Sequence, residues 1–419
     1  MTNGYDINTL FTGGGRSFVK IDQITIRDFK ALKDLTFAPG YVNVFVGANG
    51  SGKSTLLEAI GVLSAAMTDR VDGNSLSRKG VRLSAPSLYK SAFQGDKRSQ
   101  TISFDIRWHE ENGGPEGSGE IMRYSAHLNA PSEDNAWRYH SETLYRDEER
   151  IRGRSGRSKE PYDSYVGMMP TEQVSIPTLR SPMEAFKNYA IYQPFTAALR
   201  GLVPDPQQAI PIGLNGGRLA EALDEIMWDE DGDIRVGGPC NVYLDEILDL
   251  IDWAGSISVG NPTKERVNAA IPVNRSVLEF KDRYLQDKMR FTAYDASEGA
   301  LYVLFMYCLA LHPKAPSVFA VDNFDQAMHP RLARSVIQRV AALITSQKKT
   351  VFLTTHNPLV LDGLDLKNDN IRLFAMDRSQ KNGYVTIHRV EVTSDLILEK
   401  QPLSQLWTTG RIGGVPNLL

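Results

Sequence analysis

The residues with the most defined chemistry form the run G-A-N-G-S-G-K-S, which fits the template G-x-x-x-x-G-K-[ST] at every fixed position. Glycines in this template let several backbone N–H groups converge on one phosphate at a helix start. Lysine then reaches the β- and γ-phosphates, and the next hydroxyl holds Mg²⁺. An apolar run precedes the loop and a helical pattern follows it, which disfavours a chance glycine-rich turn. The predicted nucleotide-binding residues are Gly47, Asn49, Gly50, Ser51, Gly52, Lys53, Ser54 and Thr55.

Two apolar runs in the C-terminal third end in polar side chains. The run S-V-F-A-V-D ends at Asp322, where a carboxylate can hold a Mg²⁺ shell through water. The run F-L-T-T-H-N-P places His356 at the carboxyl edge of a predicted sheet, where ligands bind in such folds. An isolated histidine is more often an ordinary core or surface residue, but this strand position favours a γ-phosphate sensor.

A third candidate is the run D-A-S-E-G-A, which stands directly before a strongly apolar helical pattern. Ser297 can act as the N-cap of that helix, with Glu298 and Gly299 in its first turn. The simplest interpretation of these residues is therefore a well-formed helix start.

The whole composition is that of an ordinary globular protein: 419 residues, 42% hydrophobic, 23% charged, with a net charge of −3. This charge argues against a uniformly basic nucleic-acid coat, although a local basic patch stays possible. Two cysteines cannot form a disulfide framework, which favours a reducing cytoplasm. The N-terminal residues do not resemble a signal peptide, and no stretch has the length of a membrane span. A soluble, cytoplasmic protein without membrane contact is expected.

The order of predicted elements indicates an α/β nucleotide fold that is interrupted in its middle. Residues 1–110 are predicted to hold the first part with the P-loop, residues 111–290 a β-rich arm and a helical insertion, and residues 291–419 the rest. Helices are predicted over Glu184–Leu199 and Val277–Met289, among others. The basic run between Arg146 and Lys159 in the arm is interpreted as a solvated loop rather than a phosphate-backbone contact.

The order of these motifs resembles the ABC-type ATPases of the RecF/SMC group. The resemblance rests on I-T-I-R-D-F-K-A-L-K-D-L before the P-loop, then S-E-G, V-D-N-F-D-Q-A-M-H-P and T-T-H-N-P, and covers roughly residues 18–110 and 290–410. The order of motifs is more closely similar to that of the stand-alone AAA-family ATPases of bacterial anti-phage systems such as Septu and PARIS. It implies an ABC-type P-loop NTPase head, with a mixed sheet and flanking helices, that uses ATP and Mg²⁺.

The same resemblance implies a head-to-tail homodimer or higher homo-oligomer. Ser297, Glu298 and Gly299 of one subunit would cover the γ-phosphate on the other subunit's P-loop. His356 would match the family's switch histidine, and Asp322 its Walker B aspartate. A glutamine that contacts Mg²⁺ and the attacking water is also expected. The candidate for that role is Gln94, with Gln100 as a rival.

One position departs from the family pattern. The Walker B aspartate is usually followed by a glutamate that polarises the attacking water, and this chain has Asn323 there. An asparagine cannot accept a proton as a general base, although it can orient water through its amide. Asp325 is a candidate substitute, and positioning by Asn323 and His356 is another route, because phosphoryl transfer depends mostly on positioning and charge stabilisation. Slow, regulated hydrolysis is the expectation.

These features favour an ATPase that controls a separate effector, a nuclease or toxin, in anti-phage defence. No acidic cluster typical of a two-metal nuclease accompanies the nucleotide motifs, so a fused nuclease is disfavoured. The alternatives are a RecF-like DNA-binding repair or recombination ATPase and a non-hydrolysing, nucleotide-gated scaffold. A transporter subunit fits least, because S-E-G replaces the longer transporter signature and the insertion is large.

Overall fold

The computed structural model describes residues 18–111, 119–131, 136–155, 163–205, 207, 209–227, 239–261, 276–286, 288–391 and 401–415. The strands of this part of the chain are β1 (Phe18–Phe29), β2 (Leu32–Phe37), β3 (Val42–Gly47), β4 (Ile102–Glu111), β5 (Met122–Asn129), β6 (Arg138–Arg146), β7 (Glu149–Ser155), β8 (Ile191–Tyr192), β9 (Ala254–Gly260), β10 (Val277–Asp282), β11 (Phe291–Thr292), β12 (Val318–Val321), β13 (Thr350–Thr354), β14 (Ile371–Arg378) and β15 (Val385–Val390). The helices are α1 (Lys53–Thr68), α2 (Gly73–Arg78), α3 (Met169–Glu172), α4 (Arg180–Lys187), α5 (Thr196–Leu199), α6 (Leu219–Met227), α7 (Pro239–Leu250), α8 (Glu298–Leu311), α9 (Pro330–Ser346), α10 (Pro358–Leu361) and α11 (Leu403–Thr408).

The described residues form two compact units, which divide the chain at positions other than 110 and 290. The P-loop unit consists of residues within Gly15–Ile191, Pro316–Asp322 and Ile344–Leu419. The insertion unit consists of residues within Tyr192–Ala315 and Asn323–Leu343.

The P-loop unit is built on a mixed sheet with the strand order β15-β14-β3-β13-β12-β8. Strand β3 lies between β14 and β13 and is parallel to both. All six residues of β3 are buried, as expected for a parallel strand covered on both faces. Parallel pairing of β3, β13 and β12 brings their carboxyl ends to one edge of the sheet, where the P-loop begins.

A second, antiparallel sheet in the same unit has the order β2-β1-β4-β5-β6-β7. Strand β4 alternates buried and half-exposed residues, so one face packs on the core. The strands predicted as a separate arm continue this sheet, because β5 pairs with β4 and β6 pairs with β5. Phe37 of β2 makes edge contacts with Phe45 and Phe374 of the mixed sheet, at centroid distances of 5.9 and 5.5 Å.

The insertion unit contains helices α5 to α8, most of α9 and a three-stranded sheet in the order β11-β10-β9. The predicted helix over Val277–Met289 is wrong, because residues 277–282 form β10 between β9 and β11. Val277, Leu278 and Phe280 are buried there, and the V-L-E-F run has the branched and aromatic composition of a strand. Similarly, Glu184–Leu199 is two helices separated by β8. No helix of the described chain is long and apolar enough to cross a membrane.

Candidate nucleotide site

The phosphate-binding loop connects β3 to α1 and has two positions that exclude a larger side chain. A Cβ atom on Gly47 would lie 2.4 Å from the Met376 carbonyl oxygen and 2.5 Å from Ser51 Oγ. Gly52 has a φ of +97°, in the left-handed region that favours glycine. Asn49 and Gly50 are exposed at the rim, and Thr55 is half-buried in the first turn of α1. The glycines of the motif are therefore required by the backbone itself.

Lys53 folds back over the loop. Its Nζ donates to the carbonyl oxygens of Gly47 and Ala48, at 2.7 and 3.0 Å. Burial lowers the pKa of Lys53 to about 8, and the nearby Asp322 carboxylate opposes that shift. Lys53 is therefore mostly charged at pH 7 and mostly neutral well above pH 8.

Two of the three predicted metal-binding side chains, Ser54 and Asp322, are in direct contact. Ser54 Oγ donates to Asp322 Oδ2 at 2.8 Å, and Thr354 Oγ1 donates to Asp322 Oδ1 at 2.5 Å. Asp322 follows β12 and Thr354 ends β13, so the parallel pairing of these strands creates the contact. Paired hydroxyl and carboxylate oxygens are the hard donors that Mg²⁺ prefers.

A further observation indicates that the loop can bind a phosphate group. The buried hydroxyl of Ser51, which is 2% exposed, has no hydrogen-bond partner within the described part of the chain. A buried polar group without a partner is costly unless a ligand or water satisfies it. The loop therefore offers this hydroxyl and its backbone N–H groups to a bound anion.

His356 lies exposed just beyond the end of β13, two residues after Thr354. Partial desolvation and then the positive charge of Lys53 lower the pKa of His356, while Asp322 acts in the opposite direction. This lowered pKa favours the neutral form of the imidazole. A neutral imidazole can donate one hydrogen bond and accept another.

The two glutamine candidates lie on the segment before β4. Both side chains are exposed. Phe93, beside Gln94, packs against Tyr384 at a centroid distance of 4.8 Å, and the Gln100 carbonyl oxygen accepts from Lys90. These contacts do not distinguish between the two glutamines, so the assignment of Gln94 stays a prediction.

A charged cluster beside the site was missed by sequence reasoning. Glu58, one helical turn after Ser54 on α1, is 2% exposed and pairs with Lys30 at 2.7 Å and with Arg82. The hydrogen bond to Glu58 is the main cause that raises the pKa of Arg82, and the charge of Asp322 acts in the same direction. Arg82 therefore lies within electrostatic reach of the candidate metal site. The i, i+4 spacing of Ser54 and Glu58 was visible in the sequence, but their partners were not.

The remaining predicted residues belong to the insertion unit. Ser297 has extended backbone angles at the N-cap of α8, but its hydroxyl makes no capping hydrogen bond. Ser297 and Glu298 are exposed, and Gly299 is half-buried. Asn323 has a φ of +53°, and Asp325 is 7% exposed. Asparagine tolerates this left-handed conformation better than most residues do.

Two protein-family models match the chain. One, described as an AAA domain, putative AbiEii toxin, Type IV TA system, matches residues 179–362. The other, described as an AAA domain, matches residues 23–196.

Curated relatives match over short stretches. The DNA replication and repair protein RecF of Magnetococcus marinus is 44% identical over 54 residues, which are 12% of this chain and 14% of that protein. RecF of Pseudoalteromonas atlantica is 33% identical over 85 residues, 20% of this chain and 19% of that protein. The chain thus spans less than a fifth of these relatives' length.

Solved structures match over nearly the whole chain. An SMC head bound to the C-winged helix domain of ScpA has a TM-score of 0.52 at 12% identity, covering 90% of this chain and 99% of that one. A Pyrococcus furiosus SMC head with an extended coiled coil, bound to the C-terminal domain of ScpA, has a TM-score of 0.50 at 11% identity, covering 91% and 99%. The chain is therefore similar to AAA domains in sequence and to SMC heads in fold. The predicted fold of an ABC-type head is confirmed, whereas the link to anti-phage systems stays a prediction.

The low pKa of Lys53 gives a test of the site. Anionic phosphates favour a charged lysine, so ATP binding should take up a proton above about pH 8 and little at pH 7. Calorimetry in two buffers of different ionisation enthalpy measures that uptake. Lys79 is the control, because burial also lowers its pKa to about 8 while its Nζ donates to the Lys187 carbonyl oxygen. If the proton uptake were lost in Lys79→Met, Lys53 would not be its source, and the assignment would be wrong.

Proposed function

We propose that this protein binds ATP with Mg²⁺ and hydrolyses it slowly. The proposal rests chiefly on the contact of Ser54 with Asp322, held by Thr354, beside a buried lysine in a glycine-bounded loop. A phosphate-release assay on the purified chain, with and without Mg²⁺, tests it. Metal-dependent release is expected, and a folded protein without any release in either condition would leave only the nucleotide-gated scaffold.

Each residue of the candidate site would have a separate role in binding the nucleotide. Lys53 and the loop N–H groups would hold the β- and γ-phosphates, and Ser54 and Asp322 would hold Mg²⁺, which when bound neutralises part of the phosphate charge. Neutral His356 would donate a hydrogen bond to a γ-phosphate oxygen, acting as a sensor. Arg82 adds a positive charge near the same group.

The rate would be limited by how the attacking water is activated. Asn323 follows Asp322 in the chain, where its amide would orient water without taking a proton. Asp325 is the nearest carboxylate in sequence that could take over as a base. Because most of the remaining catalysis is positioning and charge stabilisation, turnover would be slow rather than absent.

Dimerisation would complete the site. The Ser297 hydroxyl makes no hydrogen bond to its own helix, and Glu298 beside it is exposed, so both remain available to another molecule. This departs from a plain capping role, in which the serine oxygen accepts from the first turn. Two subunits arranged head to tail would each present these residues to the other's P-loop.

Mixing two inactive variants tests this arrangement. Lys53→Ala should disable the P-loop, and Ser297→Arg should disable the surface that covers the partner's nucleotide. An equal mixture forms heterodimers with one intact composite site, so it should recover about a quarter of the wild-type rate for a two-fold dimer. A mixture as inactive as its components would argue against sites shared between subunits.

The nucleotide state would control a separate effector in bacterial anti-phage defence. The matched model's description as a putative toxin of a toxin–antitoxin system supports a regulatory setting of this kind. An SMC head bound to a domain of another protein provides a fold-level precedent for a partner. Co-expression with the products of neighbouring genes, followed by affinity capture, tests it; a chain that captures none of them with ATP present would contradict it.

DNA binding in the manner of RecF is the second candidate, favoured by the RecF matches. The basic run of the arm gives it little support. Arg146 pairs with Glu120, Arg152 with Glu172, and Arg154 with buried Glu142. Residues 156–162 of the same run lie outside the described residues. Paired arginines are less available to phosphates, and salt-dependent duplex binding that requires ATP is the observation that would favour this candidate.

A further inference from the structure

The C-terminal segment 401–415, here called the clasp, contacts both sides of the candidate nucleotide site. At one end it reaches α10, which begins two residues after His356. Ser404 donates twice to the Asp362 carboxylate after α10, from its backbone N at 2.9 Å and from its hydroxyl at 2.6 Å. Ser404 is 8% exposed, so these bonds are largely shielded from water.

At its other end the clasp lies against the first glycine of the P-loop. A Cβ atom on Gly414 would be 3.3 Å from both Gly47 Cα and the Val46 carbonyl oxygen. Gly414 also has a φ of +70°, so any larger residue there would be strained as well as crowded. This glycine turn therefore packs directly on the loop that would hold the phosphates.

Three side chains fix the turn. Both carboxylate oxygens of Asp377 accept from the Gly414 N–H, at 2.9 and 3.0 Å. The buried indole of Trp407 donates to the Gly414 carbonyl oxygen at 3.2 Å. His388 Nε2 bonds the Ile412 carbonyl oxygen at 2.9 Å. Asp377 follows Met376, which pairs with Gly47 in the sheet, so the turn is held to the same strand that flanks the P-loop.

We propose that the clasp is a positioning element that couples the P-loop to the helix after His356, with Asp377, Ser404 and Trp407 as its positioning residues. Packed interiors pass on small displacements instead of absorbing them. A shift of Gly47 when phosphate enters the loop reaches the clasp through Gly414, and the clasp passes it to α10 through Ser404. This coupling rests on the proposed nucleotide binding.

Hydrogen exchange of the full-length chain, with and without ATP and Mg²⁺, tests the coupling. ATP should slow exchange both in the P-loop and in residues 403–415. Slower exchange in the P-loop with no change in 403–415 would overturn the clasp but leave nucleotide binding intact. No slowing in the P-loop would reject nucleotide binding, and the clasp's role with it.

Variants distinguish a coupling role of the clasp from a purely stabilising one. Ser404→Ala should raise KM for ATP about two- to tenfold, with kcat nearly unchanged, because it removes the hydroxyl's bond to the Asp362 carboxylate but keeps the bond from the backbone N. Ser404→Thr keeps the hydroxyl and should restore KM. Thr409→Ala is the matched control, because that hydroxyl bonds only to carbonyls of its own helix. A KM equal to wild type in Ser404→Ala, or an equal rise in Thr409→Ala, would overturn the proposal.

Discussion

Replacing Asp322 by asparagine should lower ATP turnover by about 100-fold or more, the usual effect of removing one main electrostatic group from an active site. The carboxylate receives hydrogen bonds from Ser54 and Thr354 and supplies the negative charge opposite Lys53. An amide keeps the shape but offers one oxygen and no charge to Mg²⁺. Steady-state phosphate release at saturating ATP measures the loss.

Thr354→Val is the matched control for this substitution. It removes only the hydroxyl that orients Asp322 and retains the shape of a fully buried residue. A loss of a few-fold is expected, together with a higher Mg²⁺ requirement, because the carboxylate remains but is less well oriented. If Asp322→Asn turned over ATP as fast as Thr354→Val, the metal would have to be held elsewhere.

Replacing Asn323 by glutamate should accelerate hydrolysis by at least about tenfold, and a well-placed general base contributes about 100-fold or more. The reason is chemical: glutamate can take the proton that an asparagine amide cannot. The φ of +53° at this position opposes the gain, because a glutamate in the left-handed region costs about 1 kcal/mol. Single-turnover rates, together with thermal melting to confirm folding, measure the outcome.

Asn323→Asp separates backbone conformation from chemistry. Aspartate tolerates the left-handed conformation nearly as well as asparagine but presents a shorter carboxylate, so a smaller acceleration is expected. The assignment would be wrong if folded Asn323→Glu were no faster than wild type. It would also be wrong if wild type were fast while Asn323→Ala and Asp325→Ala both left its rate unchanged.

Sequence reasoning succeeded where the signal is local. The fixed spacing from Gly47 to Ser54 predicted the loop between β3 and α1, and the apolar run that ends at Asp322 predicted β12. Both patterns reflect strand burial at one edge of a sheet, which depends little on distant residues. The mixed sheet of an ABC-type head was implied by the resemblance to the RecF/SMC group.

Features that depend on tertiary contacts were not predictable in the same way. Arg82 carries no motif, and its pairing with Glu58 and its interaction with Asp322 arise only in the folded chain. Residues 277–282 have apolar spacing that fits a helix, but their pairing with β9 and β11 makes them a strand. The contact of the clasp with Gly47 joins residues far apart in the chain, and no local pattern predicts it.

Titration of the wild-type chain with ATP and Mg²⁺ by calorimetry tests the central claim most directly. The site around Lys53, Ser54 and Asp322 predicts one ATP per chain, with binding weakened when Mg²⁺ is chelated and lost in Lys53→Ala. A folded wild-type protein that binds no ATP at millimolar concentrations, or that binds equally well as Lys53→Ala, would contradict the account.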